Sequence, residues 1–310
     1  MTPLFQRLAV LGLGLLGGSV ALAARRRRVA ALVAGAARRA DVRAAALARG
    51  AVDEAGDLES AARGADLVVL ATPLFAMPEV ARRIAPALAP GAIVTDVGSV
   101  KGGLAESLPG LLPAGVVYVG SHPMAGSHRS GFEHAREDLF EGAVCVVTEA
   151  PDPATRDRVC GFWRALGARV VLRDAVSHDA EVAWISHLPH ALAFAFAAAL
   201  REAPARATEL AGSGFRDFTR IAHSEPELWA EILTANRKEL AAPLQAAGEA
   251  LAELGRAIEA NDAEALERLL RAARAALARG GIRGSDSADD AARTPDGRVG
   301  RAGRGVRQRS

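Results

Sequence analysis

The chain has 310 residues, enough for two domains and a large apolar core, and half of its residues are hydrophobic although aromatic residues make up only 4%. Its formal net charge of +2 arises mainly from arginines after residue 279, so the remainder is near neutral and a nucleic-acid-binding class is excluded. The two cysteines have no C-x-x-C or cysteine-histidine spacing, which excludes a disulfide scaffold, predicts no metal site and indicates a reducing, cytoplasmic compartment.

The first predicted strand, residues 8–11, is followed by a G-x-G-x-x-G pattern and an Ala- and Leu-rich helix that continues to about residue 28. The first glycine allows the tight turn, the second lets the backbone approach a pyrophosphate, and the third lets the helix pack on the strand. Glycines also occur in structural turns, but this position between a strand and a helix favours a dinucleotide. The predicted cofactor contacts in this turn are Gly12, Gly14, Leu15, Leu16 and Gly17.

The second predicted strand, residues 29–33, leaves the choice between NAD and NADP open. NAD sites usually have an acidic residue at the end of this strand, which binds the ribose 2′-hydroxyl. Here Arg38 and Arg39 follow the strand, and no acid precedes Asp41. This pattern suits the 2′-phosphate of NADP and makes Arg38 a predicted cofactor contact. The alternative is that both arginines are solvated residues at the start of a helix.

Three later strands are predicted to end at one edge of a parallel sheet, where ligands bind outside the carboxyl ends of the strands. The strands and the segments after them are residues 66–71 with Thr72 and Pro73, residues 92–97 with Gly98 and Ser99, and residues 116–119 with the loop 121–131. These segments should line one cleft, with Thr72 and Pro73 at the cofactor. The loop contains two histidines and is the predicted place of the chemistry, with an ordinary surface loop as the alternative.

Two further strands, residues 143–148 and 168–172, complete the predicted α/β region, and the pattern is then helical to about residue 279. The sequence therefore predicts an N-terminal Rossmann-type doubly wound parallel sheet followed by an all-α C-terminal dimerisation domain. The predicted divisions are an NAD(P)-binding domain (residues 1–173), a helical substrate-binding and dimerisation domain (174–279) and a disordered basic tail (280–310). Three long apolar helices, 225–240, 244–260 and 263–279, predict a homodimer.

Two apolar stretches, residues 8–24 and 183–200, resemble membrane segments in composition. The first is interrupted by glycines and has arginines after it rather than before it, which is the reverse of a signal peptide. The second contains His187, Pro189 and His190, so a buried or subunit-interface helix is favoured over a membrane span. A helix start at Ser177 and a kink at Pro189 are predicted.

The helical region also contains candidate ligand-binding side chains. His187 and His190 are three residues apart and share a helix face, where such a pair is more often a pair of satisfied core residues than of metal ligands. A glycine-rich turn at residues 212–214 opens a helix that places Arg220 about two turns along. Arginine holds a carboxylate at two points, although an Arg-Asp surface pair is the alternative.

Five motifs in this order resemble prephenate dehydrogenases, including their arogenate-using relatives. They are G-x-G-x-x-G-G-S from Gly12, D-V-G-S-V-K-G from Asp96, G-S-H-P-M-A-G from Gly120, S-H-L-P-H from Ser186 and G-F-R-D-F-T-R-I-A from Gly214. The resemblance implies oxidative decarboxylation of prephenate to 4-hydroxyphenylpyruvate in tyrosine biosynthesis, with hydride transfer to NAD or NADP.

The resemblance also implies roles for single residues. His122 would remove the proton from the ring hydroxyl, and Ser99 would hydrogen-bond both His122 and that hydroxyl. The substrate-binding positions would be His190, Arg220, Ser127 and His187, with Arg220 holding a carboxylate.

The sequence departs from the family pattern at His128, where relatives often have an acid, and at the missing acid after the second strand. It also shows no chorismate mutase or regulatory domain. The expected partner is the small-molecule substrate, with no nucleic acid and no membrane. The alternatives are an arogenate dehydrogenase, a related dehydrogenase of another small acid, and a non-catalytic dinucleotide-sensing protein.

Overall fold

The structure is a computed structural model that describes residues 2–126 and 129–279. Ser127, His128 and the predicted tail therefore lie outside the described residues. Within them the chain divides into two compact units, the first ending at Gln245 and the second beginning at Ala246. The candidate site lies wholly in the first unit.

The first unit contains a six-stranded parallel sheet with the strand order β3-β2-β1-β4-β5-β6. Its strands are β1 (Phe5–Leu11), β2 (Ala30–Ala36), β3 (Glu54–Gly56), β4 (Leu67–Leu70), β5 (Ile93–Asp96) and β6 (Val117–Tyr118). This order confirms the predicted Rossmann-type sheet. All four residues of β4 are buried, as expected for a central strand covered on both faces. β3 was not predicted, because its three residues have no large apolar side chain.

Helices cover both faces of this sheet, and each face has its own apolar cluster. The helices of the α/β region are α1 (Leu15–Arg26), α2 (Ala40–Ala48), α3 (Leu58–Ala62), α4 (Met77–Ile84), α5 (Gly102–Ser107) and α6 (Pro153–Ala165). Phe162 and Trp163 of α6 are fully buried in one cluster, and Met77 and Ile84 of α4 are buried in the other. These large side chains supplement a core built mainly from alanine, valine and leucine.

A second, three-stranded sheet follows the first. Its strands are β7 (Ser121–Pro123), β8 (Val144–Val147) and β9 (Arg169–Leu172), with β7 antiparallel to β8 and β8 parallel to β9. The prediction that the polar segment is a loop from residue 121 was therefore wrong for its first three residues. His122 lies opposite Val146, so strand pairing rather than a loop fixes its backbone.

The remainder of the described chain is helical, as predicted. Its helices are α7 (Ala175–Val182), α8 (Leu188–Ala199), α9 (Ser213–Thr219), α10 (Pro226–Ala235), α11 (Arg237–Glu259) and α12 (Ala263–Arg279). The predicted start at Ser177 was wrong, because Asp174 caps α7 by accepting a hydrogen bond from the Ser177 amide. The break predicted near residue 243 instead occurs at Asn236, and Pro243 lies inside α11.

A π-helical turn, Ala183–His187, joins α7 to α8 just before Pro189. The widened turn appears where the sequence predicts a kink, and π-turns are frequent at functional sites. The combined run Ala175–Glu202 is long and apolar enough to cross a membrane by length and composition alone, and 22% of its most apolar window is buried in the protein. It also carries the buried His178, Asp179 and His187, which the site described below uses.

Candidate active site

The glycine turn between β1 and α1 leaves room for a ligand and allows no side chain at two of its positions. Gly12 has a φ of +108°, and a Cβ there would lie 2.4 Å from the Ala71 carbonyl oxygen. A Cβ on Gly17 would lie 1.9 Å from the Gly12 carbonyl oxygen, whereas one on Gly14 would meet no atom within 4 Å. The backbone at Gly14 is thus open for close approach, as a pyrophosphate requires. Leu15 and Leu16 form the first turn of α1, with their amide groups at its N-terminus.

The neighbouring end of β4 adds a polar group beside this turn. Thr72 follows β4, next to Gly12 in the sheet, and its hydroxyl is buried with no hydrogen-bond partner among the described residues. Pro73 follows it and is exposed. An unpartnered buried hydroxyl beside a turn open to a pyrophosphate fits a bound dinucleotide.

The carboxyl end of β2 has no acidic side chain, since it ends at the buried Ala36. Arg38 and Arg39 follow and are both exposed. Arg39 forms an ion pair with Asp41, whereas the Arg38 guanidinium makes no hydrogen bond or ion pair with the described residues. Arg38 is therefore the arginine left available to a ligand at this strand end.

A fully buried ion pair at the end of β5 is hydrogen-bonded to the start of β7. Asp96 and Lys101 are both inaccessible to solvent, and the Lys101 ammonium contacts the Asp96 carboxylate and donates to the Ser121 carbonyl oxygen at 2.9 Å. The Tyr118 hydroxyl and the Ser121 amide also donate to the Asp96 carboxylate, each at 3.0 Å. These bonds satisfy the buried charges and fix the backbone immediately before His122.

His122 forms the first link of a chain of three buried polar side chains. Its Nδ1 lies 2.9 Å from Nε2 of His178, and Nδ1 of His178 lies 2.7 Å from Oδ1 of Asp179. Asp179 also accepts hydrogen bonds from the backbone amides of Lys101 and Gly102, at 2.8 and 2.7 Å. Nε2 of His122 makes no hydrogen bond to a described residue and is the ring nitrogen left for a ligand.

The surroundings of His122 keep its imidazole neutral. Burial lowers its pKa well below the usual value, and nearby His178, Lys101 and His187 lower it further because each can carry positive charge. A neutral imidazole with a free nitrogen is a proton acceptor, which is the requirement for a general base.

His187 is buried against a second polar group, Asn236. The Asn236 amide donates to Nδ1 of His187 at 2.9 Å and to the Asp179 carbonyl oxygen at 2.8 Å. Since Nδ1 accepts, the proton of the neutral ring lies on Nε2, and this atom is buried without a hydrogen-bond partner in the described residues. Burial lowers the His187 pKa to about 4, so the ring is a neutral donor.

His190 contacts the same Trp229 ring as His187, and Arg220 lies on the helical turn after α9. The His190 ring stacks on Trp229, and its Nδ1 lies 2.9 Å from the Ser186 carbonyl oxygen. Burial lowers the His190 pKa, and the positive charge of Arg220 lowers it further. Arg220 is exposed and directly follows α9, about two turns from the start of that helix as the sequence predicts, and it begins a further short helical turn.

The other two candidates remain predictions. Ser99 is half-buried after β5, on the loop between Asp96 and Lys101, and the described residues include no hydrogen bond between Ser99 and His122. Ser127 lies outside the described residues. Within residues 2–126 and 129–279, no group of three or more His, Cys, Asp or Glu side chains could hold a metal ion.

Five further side chains of this group were not predicted from the sequence: His178, Asp179, Asn236, Trp229 and Lys101. Two signals were available. His178 and Asp179 precede the Ser186 motif on a continuous apolar helix, where charged side chains need buried partners. The only other lysine, Lys238, is exposed, whereas Lys101 lies in an apolar setting after a strand.

Residues 20–172 match the family model "Prephenate dehydrogenase, nucleotide-binding domain", and residues 174–272 match "Prephenate dehydrogenase, dimerization domain". A prephenate dehydrogenase of Lactococcus lactis subsp. cremoris is 33% identical over 84% of this chain and 74% of its own length. A cyclohexadienyl dehydrogenase of Zymomonas mobilis subsp. mobilis is 34% identical over 84% of this chain and 92% of its own.

Solved structures of a prephenate dehydrogenase and an arogenate dehydrogenase are similar to this chain over most of its length. The crystal structure of prephenate dehydrogenase from A. aeolicus in complex with hydroxyphenyl propionate and NAD+ has a TM-score of 0.81 and 30% identity, over 90% of this chain and 98% of that one. The Synechocystis arogenate dehydrogenase has a TM-score of 0.74 and 34% identity, over 88% of this chain and 99% of that one.

Proposed function

Because the chain belongs to the prephenate dehydrogenase family, we propose that it converts prephenate to 4-hydroxyphenylpyruvate by oxidative decarboxylation in tyrosine biosynthesis, with NAD or NADP as hydride acceptor. It is an NAD(P)-dependent oxidoreductase with a nucleotide-binding domain. The observation that carries the proposal is the buried, neutral His122, whose Nδ1 is held by His178 while Nε2 makes no hydrogen bond within the part of the chain that the structure describes.

In this proposal His122 accepts the proton of the ring hydroxyl at Nε2. Proton removal makes the hydroxyl-bearing carbon electron-rich, so that it releases hydride. Loss of carbon dioxide then leaves the electrons of the broken bond in the ring, which becomes aromatic as the former hydroxyl oxygen takes the proton back from His122, and this aromatisation draws the reaction forward. Ser99, close in sequence to the buried Lys101, would hydrogen-bond the same hydroxyl.

The carboxylates of prephenate require cationic or donor groups. Arg220 supplies a two-point donor at the exposed edge of the site, and the neighbouring His190 is held in place by Trp229. The Nε2–H of His187 would donate to a substrate oxygen, which would satisfy a buried donor that has no partner among residues 2–126 and 129–279. Ser127 completes the predicted set.

The cofactor supplies the hydride-accepting nicotinamide when it is bound. The residues that would hold it are Gly12, Gly14 and Gly17 with the amides of Leu15 and Leu16, together with Thr72, Pro73 and Arg38. Their fit is supported by the open backbone at Gly14 and the orphaned Thr72 hydroxyl.

The proposed assembly is a cytoplasmic homodimer formed through the helices of residues 174–279, with residues 1–173 as the cofactor domain. The matched family model for residues 174–272 is a dimerization domain. Trp184 and Ile185 on the π-helical turn are 52% and 68% exposed, and Leu192 and Phe196 of α8 are exposed on the same long helix. A partner subunit covering these side chains would remove a large apolar surface from water.

Turnover of prephenate and arogenate, each with NAD+ and with NADP+, tests this function. We expect reduced cofactor and 4-hydroxyphenylpyruvate from prephenate. Faster turnover of arogenate would assign the alternative that the Synechocystis relative represents. Dinucleotide binding without any prephenate- or arogenate-dependent reduction would instead identify a non-catalytic sensing protein.

A further inference from the structure

We propose that His178 and Asp179 are positioning residues that set the tautomer of His122 and take up part of the positive charge that His122 gains with the substrate proton. The inference rests on the proposed function in one respect, the assignment of His122 as the base. Neither residue of the pair was among the candidates from sequence, and neither needs to touch substrate.

The tautomers of His178 and His122 follow from their hydrogen bonds, taken in order from Asp179 to His122. The Asp179 carboxylate can only accept, and both of its oxygens receive backbone N–H groups from Lys101 and Gly102. His178 must therefore donate to Asp179 from Nδ1, which leaves Nε2 of the neutral His178 ring as an acceptor. The contact of 2.9 Å between the two histidines then requires His122 to donate from Nδ1. Its lone pair is consequently at Nε2, the nitrogen that makes no hydrogen bond to any described residue.

The same bonds offer a path for charge when His122 accepts a proton at Nε2. The Nδ1 proton of His122 can move to Nε2 of His178, so that His178 becomes the imidazolium and lies against the Asp179 carboxylate. One proton is gained at His122 and one is passed on, and the covalent structure is otherwise unchanged. The positive charge thereby moves away from Lys101, which opposes charge on His122, toward a buried carboxylate.

Burial gives this arrangement its rigidity. His178 is 1% exposed and Asp179 is 5% exposed, so water does not compete for their hydrogen bonds. Asp179 is tied to the loop after β5 through two amides and, through its own carbonyl oxygen, to Asn236. The pair therefore connects the base to the loop that carries Ser99 and to the start of α11.

The tautomer can be measured without substrate by NMR of the full chain labelled with 15N-histidine, with the His122 signals assigned by loss in His122→Asn. We expect the His122 proton on Nδ1 at neutral pH. In Asp179→Asn, where an amide donor can face His178, we expect the His122 proton to move to Nε2. A wild-type His122 protonated on Nε2 would overturn the proposal.

Kinetics provide the second test. His178→Met removes the acceptor and should lower kcat for prephenate about 100-fold, with the KM changed less than about threefold because His178 does not contact substrate. His178→Gln places an amide oxygen near the lost nitrogen, so it should restore the tautomer and recover at least about tenfold of that loss. The proposal would be contradicted if His178→Met and His178→Gln both had the kcat of wild type. It would also be contradicted if kcat fell by the same factor in both variants.

His134→Gln is the matched control, since His134 lies outside this chain of contacts and should leave kcat unchanged. The two proposals fail separately. If wild type does not turn over prephenate but His122 carries its proton on Nδ1, the proposed function fails and the positioning role stands. If wild type is active and His178→Met is equally active, the positioning role fails and the function stands.

Discussion

His190 lies face to face with Trp229, with the ring centroids 3.5 Å apart and the ring planes inclined by 16°. The stack covers one face of the imidazole, and the Ser186 carbonyl oxygen occupies Nδ1, so only Nε2 and the uncovered face remain for a ligand. Arg220 is close enough to His190 to lower its pKa. A ligand carboxylate between the imidazole and the guanidinium would balance the positive charge of Arg220.

Arg220→Ala should raise the KM for prephenate about 10- to 100-fold while kcat falls much less, because a charge-assisted pair to a carboxylate contributes roughly 1.5–3 kcal/mol. Steady-state kinetics measure both constants. Arg216→Ala is the matched control, since Arg216 is also exposed on α9 but donates to the Ala211 carbonyl oxygen. An unchanged KM in Arg220→Ala would assign this arginine a structural role.

Acidification should destabilise the protein through His187. Its pKa is about 4 in the folded state and about 6.5 when unfolded, so the unfolded chain binds the additional proton as pH falls below about 6.5. The contribution of the neutral His187 to the free energy of unfolding is fully present above pH 6.5 and is lost progressively toward pH 4. The loss is about 2 kcal/mol between pH 7 and 5.

Urea unfolding at pH 7 and pH 5 tests this effect. The decrease in the free energy of unfolding between the two pH values should be smaller in His187→Gln than in wild type by about 2 kcal/mol. His223→Gln, which replaces an exposed histidine, should retain the wild-type decrease. The same pH dependence in His187→Gln and wild type would show that His187 is not held neutral.

Arg38→Ala should lower kcat/KM with NADP+ about tenfold or more and with NAD+ less than about threefold, because only NADP+ has a 2′-phosphate for the unpartnered guanidinium. Arg39→Ala, which removes a side chain already paired with Asp41, is the control and should have the smaller effect on NADP+. Equal losses with the two cofactors would place Arg38 outside the 2′-phosphate site.

Lys101→Met should reduce the free energy of unfolding by about 3–5 kcal/mol, because it leaves the buried Asp96 carboxylate without its cation. Lys238→Met removes an exposed lysine and should change stability by less than about 0.5 kcal/mol. Urea unfolding compares the two. Similar stability of both variants would mean that the hydrogen bonds from Tyr118 and Ser121 are sufficient to stabilise the buried Asp96 carboxylate without a cation.

The parts of the fold that depend on local spacing could be predicted from sequence. The glycine turn is an example, because the positive φ of Gly12 and the close contact of Gly17 with the Gly12 carbonyl oxygen both arise within one strand-turn-helix unit. Burial of β4 is another, because a continuous apolar run is typical of a central parallel strand. The helical C-terminal region follows from its alanine and leucine content.

The parts that depend on contacts between distant segments could not be predicted. His178 acquires its role from His122, which is 56 positions earlier, and Asn236 ends α10 where it donates to Asp179 and His187. β7 exists because Ser121–Pro123 pairs with a strand more than 20 residues later. No periodicity within either segment indicates such partners.

The most direct test of the account is turnover of prephenate by wild type and His122→Asn, with prephenate binding measured by calorimetry in both. Removal of the base should lower kcat by two or more orders of magnitude while prephenate still binds, since a general base contributes about 10²–10⁴-fold. The wild-type enzyme should keep its activity somewhat below neutral pH, because the lowered His122 pKa leaves the imidazole neutral there. Near-normal turnover by His122→Asn would contradict the central assignment.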